Sequence, residues 1–399
     1  MLQFDEYKVK LNNLKPELEK LGRALDLDAA ERELDMLHAQ SAADGFWDNV
    51  DKAKKVQQRI SQLEDKVNAQ KKRLAGWDDL MVLCEMGNEE EDESLVAEVE
   101  EGYQALLQNM ESARLETLLS RLSFPHEVAY TREAGDAQRL AATAARTGGP
   151  VRIYACGGDG TLNEVVNGAA SFDNAAVTCV PKGTGNDFLK LFGPRFRELF
   201  YDLEALAAGP QRAFDLMDCN GKLGLDVVCA GVDARIAAGV HRYKDLRFVS
   251  GIGAYLLSLA EQVIFRGLCR PLTIRADGLD WQERQTAILC ICNGRHYGGG
   301  FMPVPDAMPD DGVLDVLAVG EISRLTFFRL VGKYAQGLYR QYPQLITDWH
   351  GQSLSFSSPR EITVVVDGEV MRGTRFTVRL SPLKINFFFP AGAEYSPEV

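Results

Sequence analysis

An all-α domain, an α/β domain and a mostly antiparallel β domain are predicted in that order, on three observations. From Met1 to about Ser120, apolar residues recur at helical spacing and only one proline, Pro16, interrupts them. After that, an apolar strand, a glycine turn and a helix follow one another twice, first in VRIYACGGDGTLNEVVNG (Val151 to Gly168) and again from Ala176 through KGTGNDF (Lys182 to Phe188). Beyond Asp215 strand-like runs take over. The expected domains are 1–119, 121–215 and 216–392.

In the first third, Leu11, Leu14, Leu18, Leu21 and Leu25 mark one apolar helix face, and Ile60, Leu63, Val67 and Leu74 another. A helical bundle or hairpin follows, with breaks near Gly22 to Asp28, Ser41 to Asn49 and Asn88 to Glu93. The acidic break (NEEEDE) reads as a solvated loop or helix start rather than a metal site, because like charges repel and favour a helix N-terminus. Phe46-Trp47 reads as a hydrophobic staple seating the next helix. No catalytic constellation occurs here.

The α/β part is expected to begin with a short strand, Glu127 to Tyr130, and a helix, Ala134 to Arg146. Val151, Ile153, Tyr154, Ala155 and Cys156 then form a strand that breaks on Gly157 and Gly158, and Leu162, Val165 and Val166 resume at helical spacing. Glycine admits positive φ and close approach of a phosphate, while a helix N-terminus offers unpaired N–H groups. A nucleotide site is the functional reading; glycine used only for turn geometry is the other. If the sheet is parallel, both glycine turns lie at carboxyl ends of strands and face one cleft.

Beyond Asp215, strands are expected at Leu225–Ala230, Leu272–Ala276, Thr286–Cys292, Leu314–Val319, Ile362–Val366, Phe376–Leu380 and Ile385–Phe389. Helical signals remain at Gly251 to Phe265 and Arg324 to Tyr342. The first of these carries Ile252, Tyr255, Leu256, Leu259, Val263 and Phe265, a face for core packing or for lining a lipid cleft. Asp367-Gly368-Glu369 reads as a hairpin turn, and Pro309 to Asp315 as a tight turn before a strand. Asp215, in the run AFDLMD, is by residue type either a structural cap or a site carboxylate. His296, in GRHYGGGF, has no partner at a telling spacing and reads as loop structure. Lys182, Lys190 and Arg295 are phosphate or headgroup contacts or solvated charges.

Of the net charge of −13, residues 1–119 carry most, with 15 Lys and Arg against 27 Asp and Glu, whereas 120–399 are nearly balanced at 29 against 30. Bulk charge therefore supports neither a basic nucleic-acid face nor strong attraction to an anionic membrane. The eight cysteines are scattered, mostly in apolar runs, which suits a reducing cytoplasm and excludes zinc spacing. No apolar stretch reaches the ~18 residues of a membrane span.

GGDGTLNEVVNG, KGTGNDF and Asp367-Gly368-Glu369 stand in the order of the diacylglycerol kinase catalytic domain, and residues 121–392 resemble that family, in particular its soluble bacterial lipid kinases. The resemblance implies an α/β nucleotide-binding domain plus a mostly antiparallel β-sandwich domain, with ATP and Mg2+ as cofactors. It implies nucleotide contacts from Gly157, Gly158, Asp159, Gly160, Thr161, Glu164, Gly183, Thr184, Asn186 and Asp187. Metal contacts would come from Asp159, Asp215 and Asp311. Glu369 would be the general base, with Asp215 beside the reacting phosphate. The implied reaction moves the γ-phosphate of ATP to the free hydroxyl of diacylglycerol, giving phosphatidic acid, in the cytoplasm and transiently at the inner face of the membrane. NAD kinase, which shares GGDGT, and a sphingoid-lipid kinase are the alternatives.

The family's catalytic domain opens with a strand ending in an Asn-Pro loop, and this chain has no Asn-Pro. The first strand is thus missing, which is expected to leave its neighbours unpaired and to weaken activity. The segment ESARLETLLSRLSF has an apolar face (Leu115, Leu118, Leu119, Leu122) that would supply the first helix but not the strand. Residues 1–119 resemble the N-terminal helical domain of bacterial peptide chain release factor 2. That resemblance implies a ribosome contact without termination activity, because neither Ser-Pro-Phe nor Gly-Gly-Gln occurs in the chain. The other expected partners are ATP, a membrane lipid reached by peripheral contact, and a second copy of the chain.

Overall fold

The computed structural model describes all residues except 1, 44–45, 91, 93, 121, 184, 245–256, 277 and 396–399. It divides into two compact units, Met1–Pro125 and His126–Val399.

The first unit is all helix: α1 (Leu2–Ala24), α2 (Leu27–Ser41), α3 (Val50–Glu89) and α4 (Leu95–Leu119). The leucines of α1 and the later turns of α3 close a core around Phe4, Leu11, Leu18, Trp77, Leu80, Cys84 and Leu106, while Leu63 and Val67 pack with Ala30 in a second one. Two polar side chains stitch α3 to α1: Trp77 Nε1 donates to Leu11 O at 2.7 Å and Gln70 Nε2 to Leu18 O at 2.9 Å. Asn49 caps α3 by accepting from Lys52 N at 3.0 Å. Chain breaks occur in the three expected places; the acidic one contains 91 and 93, which lie outside the described residues.

The second unit continues with α5 (Asp136–Ala145), β1 (Val151–Gly157), α6 (Asp159–Ala169), β2 (Ala175–Pro181), α7 (Phe196–Phe200), α8 (Leu203–Ala208), β3 (Gln211–Cys219), β4 (Lys222–Gly224) and β5 (Val227–Gly231). There follow α9 (Val232–Lys244), β6 (Arg270–Ala276), β7 (Leu279–Thr286), β8 (Ile288–Cys292), β9 (Leu314–Val319), α10 (Arg324–Ala335), β10 (Ile346–Gly351), β11 (Ser353–Val366) and β12 (Glu369–Phe388). The strands join one sheet ordered β1-β2-β12-β11-β5-β8-β9-β10, with β3 and β4 attached at β12 and β6 and β7 at β11. The parallel pairings are β1 with β2 and β2 with the last residues of β12; the rest are antiparallel. The fold is therefore an α/β half and a β-sandwich-like half, with a helical unit ahead of them.

β12 is the seam. Its first residues pair with β11, and its last pair with β2 and β3, so one strand runs from the Asp-Gly-Glu turn into the α/β half. The two runs expected there, Phe376–Leu380 and Ile385–Phe389, are one strand with a bulge between Leu380 and Lys384. Pro382, which has no N–H for the ladder, sits in that bulge.

The strand expected at Glu127 to Tyr130 does not form. Among the described residues β1 pairs only with β2 and is an edge strand. The segment before α5 runs over the surface, with Val128 43% and Tyr130 75% exposed. Its local pattern suits a strand, but β structure needs a neighbour. The following helix begins at Asp136, two residues later than expected, behind Gly135 at φ 88°. Strands β4, β7 and β10 were not foreseen. No described helix is long and apolar enough to cross a membrane.

Candidate active site

β1 and β2 run in register with Gly157 beside Pro181, so their carboxyl ends release both glycine loops at one level. Lys182 N and Gly183 N both donate to Gly157 O, at 2.9 and 3.3 Å. A Cβ at Gly183 would lie 2.6 Å from Gly158 Cα, so the loops touch backbone to backbone. Asp159, the first residue of α6, spends both carboxylate oxygens on the other loop, accepting from Asn186 N at 2.9 Å and Asp187 N at 2.8 Å. Asn186 returns its side-chain amide to Gly157 O at 3.0 Å. The two motifs are one built unit. Gly183→Ala is therefore expected to weaken ATP binding by more than about tenfold and to cost about 1–3 kcal/mol of stability, because backbone must move to admit one methyl. Titration calorimetry with ATP checks it; wild-type affinity would show that the contact between the loops is dispensable.

Asp187 forms an ion pair with Lys190 and accepts from Gly299 N at 2.8 Å. The second loop thus reaches the glycine-rich segment after β8 that carries His296. The His296 Nδ1 is buried without a hydrogen-bond partner, and burial, helped by the charge of Lys190, pushes its pKa down to about 4. Because this folded value lies below the unfolded one, stability is expected to fall as pH drops from 6.5 through about 4. An NMR titration of the imidazole should find it neutral at pH 6; a midpoint near 6.5 would contradict the burial argument.

Asp367 and Gly368 take φ 46° and 90°, the two-residue hairpin geometry expected between β11 and β12, with Val366 paired to Glu369. The Asp367 carboxylate accepts from Leu225 N (2.6 Å), Val227 N (2.9 Å), Asp226 N (3.1 Å) and Asn163 Nδ2 (3.1 Å). Asn163 lies on α6, directly after the first glycine loop. One carboxylate therefore fastens the hairpin to the start of β5 and to the glycine-motif helix. The side chain of Glu369, the first residue of β12, is exposed and makes no hydrogen bond or ion pair among the described residues.

The remaining expected site residues divide. Asp215 is 4% exposed, pairs with Lys384 at 2.7 Å and accepts from Gly312 N at 2.9 Å. Asp311 lies in the same turn and accepts from Val313 N at 3.0 Å. Burial, then the charges of Asp215 and Asp310, raise its pKa. Asp159 has different acidic neighbours; burial raises its pKa first, then the charges of Asp187 and Asp367. Glu164 does not face the loops: its two oxygens accept from Gly135 N (2.8 Å) and Ala137 N (3.1 Å) and cap α5. This corrects its reading as a nucleotide contact, because both oxygens are spent on a helix end. Gly157, Gly158, Gly160 and Thr161 form the end of β1 and the start of α6. Thr184 lies outside the described residues.

Two buried groups went unnoticed in the sequence. Asp226 is 7% exposed, its Oδ1 has no partner, and burial together with Asp367, Asp187 and Asp159 raises its pKa well above the carboxylate range. Asn293, fully buried, donates to Asp215 O at 2.9 Å and Leu225 O at 2.7 Å and leaves Oδ1 unpartnered. Only the alternation around each residue was visible, and it reads as ordinary strand. Among the described residues no three His, Cys, Asp or Glu are grouped so as to cage a metal. A magnesium ion carried on phosphates needs only one or two carboxylates and keeps several waters. Asp215 has both oxygens engaged, by Lys384 and Gly312 N, so Asp311 is the carboxylate of that turn that fits such a hydrated ion.

Two glycine loops released by one parallel strand pair, and joined by one long strand to a sandwich-like half, define a two-domain nucleotide-binding fold. The diacylglycerol kinase catalytic domain model matches residues 95–219, and the YegS C-terminal NAD kinase beta sandwich-like domain model matches 226–389. The YegS-like probable lipid kinase of Pseudomonas fluorescens is 32% identical over 65% of this chain and 85% of its own, and that of Pseudomonas aeruginosa 32% over 67% and 85%. A solved diacylglycerol kinase of Bacillus anthracis superposes with a TM-score of 0.52 at 19% identity, over 70% of this chain and 93% of that one. The chain belongs to the YegS-like lipid kinase family, whose phosphate donor is ATP. The first match begins at residue 95, so it takes in α4.

Proposed function

We propose that the chain transfers the γ-phosphate of ATP to the free hydroxyl of diacylglycerol, giving phosphatidic acid and ADP, at the cytoplasmic face of the membrane. The observation that carries this reading is the Asp367 clamp, which fastens the turn bearing Glu369 to the helix of the first glycine loop. Amides of the loops around Gly158 and Gly183 and the N-terminus of α6 would hold the phosphates. Asp311, the exposed carboxylate of the turn that Asp215 fastens, would meet the magnesium ion, which when bound neutralises charge on the phosphates. Glu369 would take the proton of the lipid hydroxyl as its oxygen bonds to the γ-phosphorus and the bond to ADP breaks. The exposure of Glu369 supports this role, because an uncommitted carboxylate is open to an incoming lipid. None of these groups belongs to the missing first strand, which supports retained turnover.

Supplying ATP labelled in its γ-phosphate together with diacylglycerol, sphingosine or NAD tests the reading. Label is expected in phosphatidic acid, and to depend on magnesium. Label in sphingosine phosphate or in NADP instead would reassign the acceptor. The separate core of Met1–Pro125 supports a second reading, a ribosome-contacting module; failure of the full chain to co-sediment with ribosomes at low salt would remove it.

A further inference from the structure

Two exposed apolar tips meet on the surface of the β-rich half. Ile264 and Phe265 are 50% and 81% exposed, and Leu325 and Phe328, on α10, are 63% and 54% exposed. The tips are joined: Arg324, the first residue of α10, donates from Nε to Val263 O at 2.8 Å and from Nη2 to Ile264 O at 2.9 Å. Single exposed apolar residues are ordinary, but four gathered on two bonded elements are not.

The surrounding charge is mainly of one sign. α10 reads RLTFFRLVGKYA, with Arg324, Arg329 and Lys333 exposed and no acid. Arg266 follows Phe265 and pairs at 3.2 Å with Glu261; Glu321 is the other acid close in sequence. In a chain of net charge −13 this concentration of cations stands out. Exposed phenylalanines rimmed by arginine and lysine match a surface that is apolar a few ångströms below a layer of phosphates. A second copy is a poor match, because its own cations would face these.

The far end of α10 leads to the active site. Met302 N donates to Ala335 O at 2.9 Å, and the same loop contributes Gly299 N to Asp187. The patch and the second glycine loop thus stand at opposite ends of one 12-residue helix, about 18 Å long.

We propose that Ile264, Phe265, Leu325 and Phe328, with Arg266, Arg329 and Lys333, form the face on which this chain docks to an anionic phospholipid bilayer. The proposal rests on the lipid-kinase reading, since an enzyme whose substrate lies in a membrane must settle on it.

The test is sedimentation of the full chain with vesicles of phosphatidylcholine, alone or mixed with phosphatidylglycerol, without substrate lipid. Binding is expected chiefly to the anionic vesicles. The double variant Phe265→Ser with Phe328→Ser should weaken it at least about tenfold. Arg329→Gln with Lys333→Gln should weaken it about fivefold per charge, on anionic vesicles only. Both variants should keep wild-type affinity for ATP and wild-type turnover of a short-chain, water-dispersed diacylglycerol. Wild-type protein left in the supernatant, or binding unmoved by either variant, would overturn the docking face. A wild-type dimer that the phenylalanine variant dissolves would assign the patch to a second copy instead. Absence of turnover with the dispersed lipid would count against the kinase reading alone, because vesicle binding is measured without it.

Discussion

Replacing Glu369 with glutamine is expected to lower kcat by about 10²–10⁴, or about 3–5.5 kcal/mol of transition-state stabilisation, with little change in ATP affinity. The amide has nearly the shape of the carboxylate but cannot accept the hydroxyl proton. The Glu369 side chain makes no hydrogen bond or ion pair among the described residues, so its loss removes chemistry without removing structure. Melting temperature and ATP affinity should therefore match wild type while lipid phosphorylation collapses. A variant that phosphorylates at the wild-type rate would show that another group, or water, takes the proton.

Asp367→Leu should instead damage both fold and rate. The substitution strands the three backbone amides of Leu225, Asp226 and Val227 and leaves Asn163 Nδ2 with Leu223 O alone, since all four donate to this one carboxylate. Unpaired buried donors cost about 1–3 kcal/mol each, offset in part by relief of repulsion with Asp226, for a net loss of about 3–5 kcal/mol. Asp367→Asn keeps one acceptor oxygen and should lose less. Denaturant unfolding of the two variants checks the order. Equal midpoints would mean that the charge, and not the set of donors, is what Asp367 contributes.

Much of this site was legible from local pattern because its turns are local. Asp367-Gly368 demands positive φ at two successive residues, and a hairpin follows from residue type alone. Gly183 likewise marks where two backbones approach too closely for a side chain, and at Gly157 a side chain would run into Thr161. What Asp367 binds was not legible: its amide partners lie about 140 residues away in sequence. Glu164 misled for the same reason, since its partners at Gly135 and Ala137 belong to another helix.

Glu127 to Tyr130 failed in the opposite sense. Its residues suit a strand, and the missing neighbour, anticipated from the absent Asn-Pro loop, leaves it unpaired and leaves β1 at the edge. Phe265 shows a further limit. Helical spacing over Gly251 to Phe265 suggested a core or cleft face; residues 251–256 lie outside the described residues, Leu259 and Val263 join the core, and Phe265 is instead 81% exposed. Periodicity identifies a face without saying whether protein, lipid or water lies against it.

The central claim is that a lipid kinase site stands complete in a sheet that lacks its first strand. It is tested most directly by incubating the purified full chain with γ-labelled ATP, magnesium and vesicles containing diacylglycerol, then extracting the lipids. Labelled phosphatidic acid, reduced at least about a hundredfold by Glu369→Gln, is the expected result. ATP bound with normal affinity but no label in any lipid would contradict the claim and leave a nucleotide-binding protein that has lost its transfer chemistry.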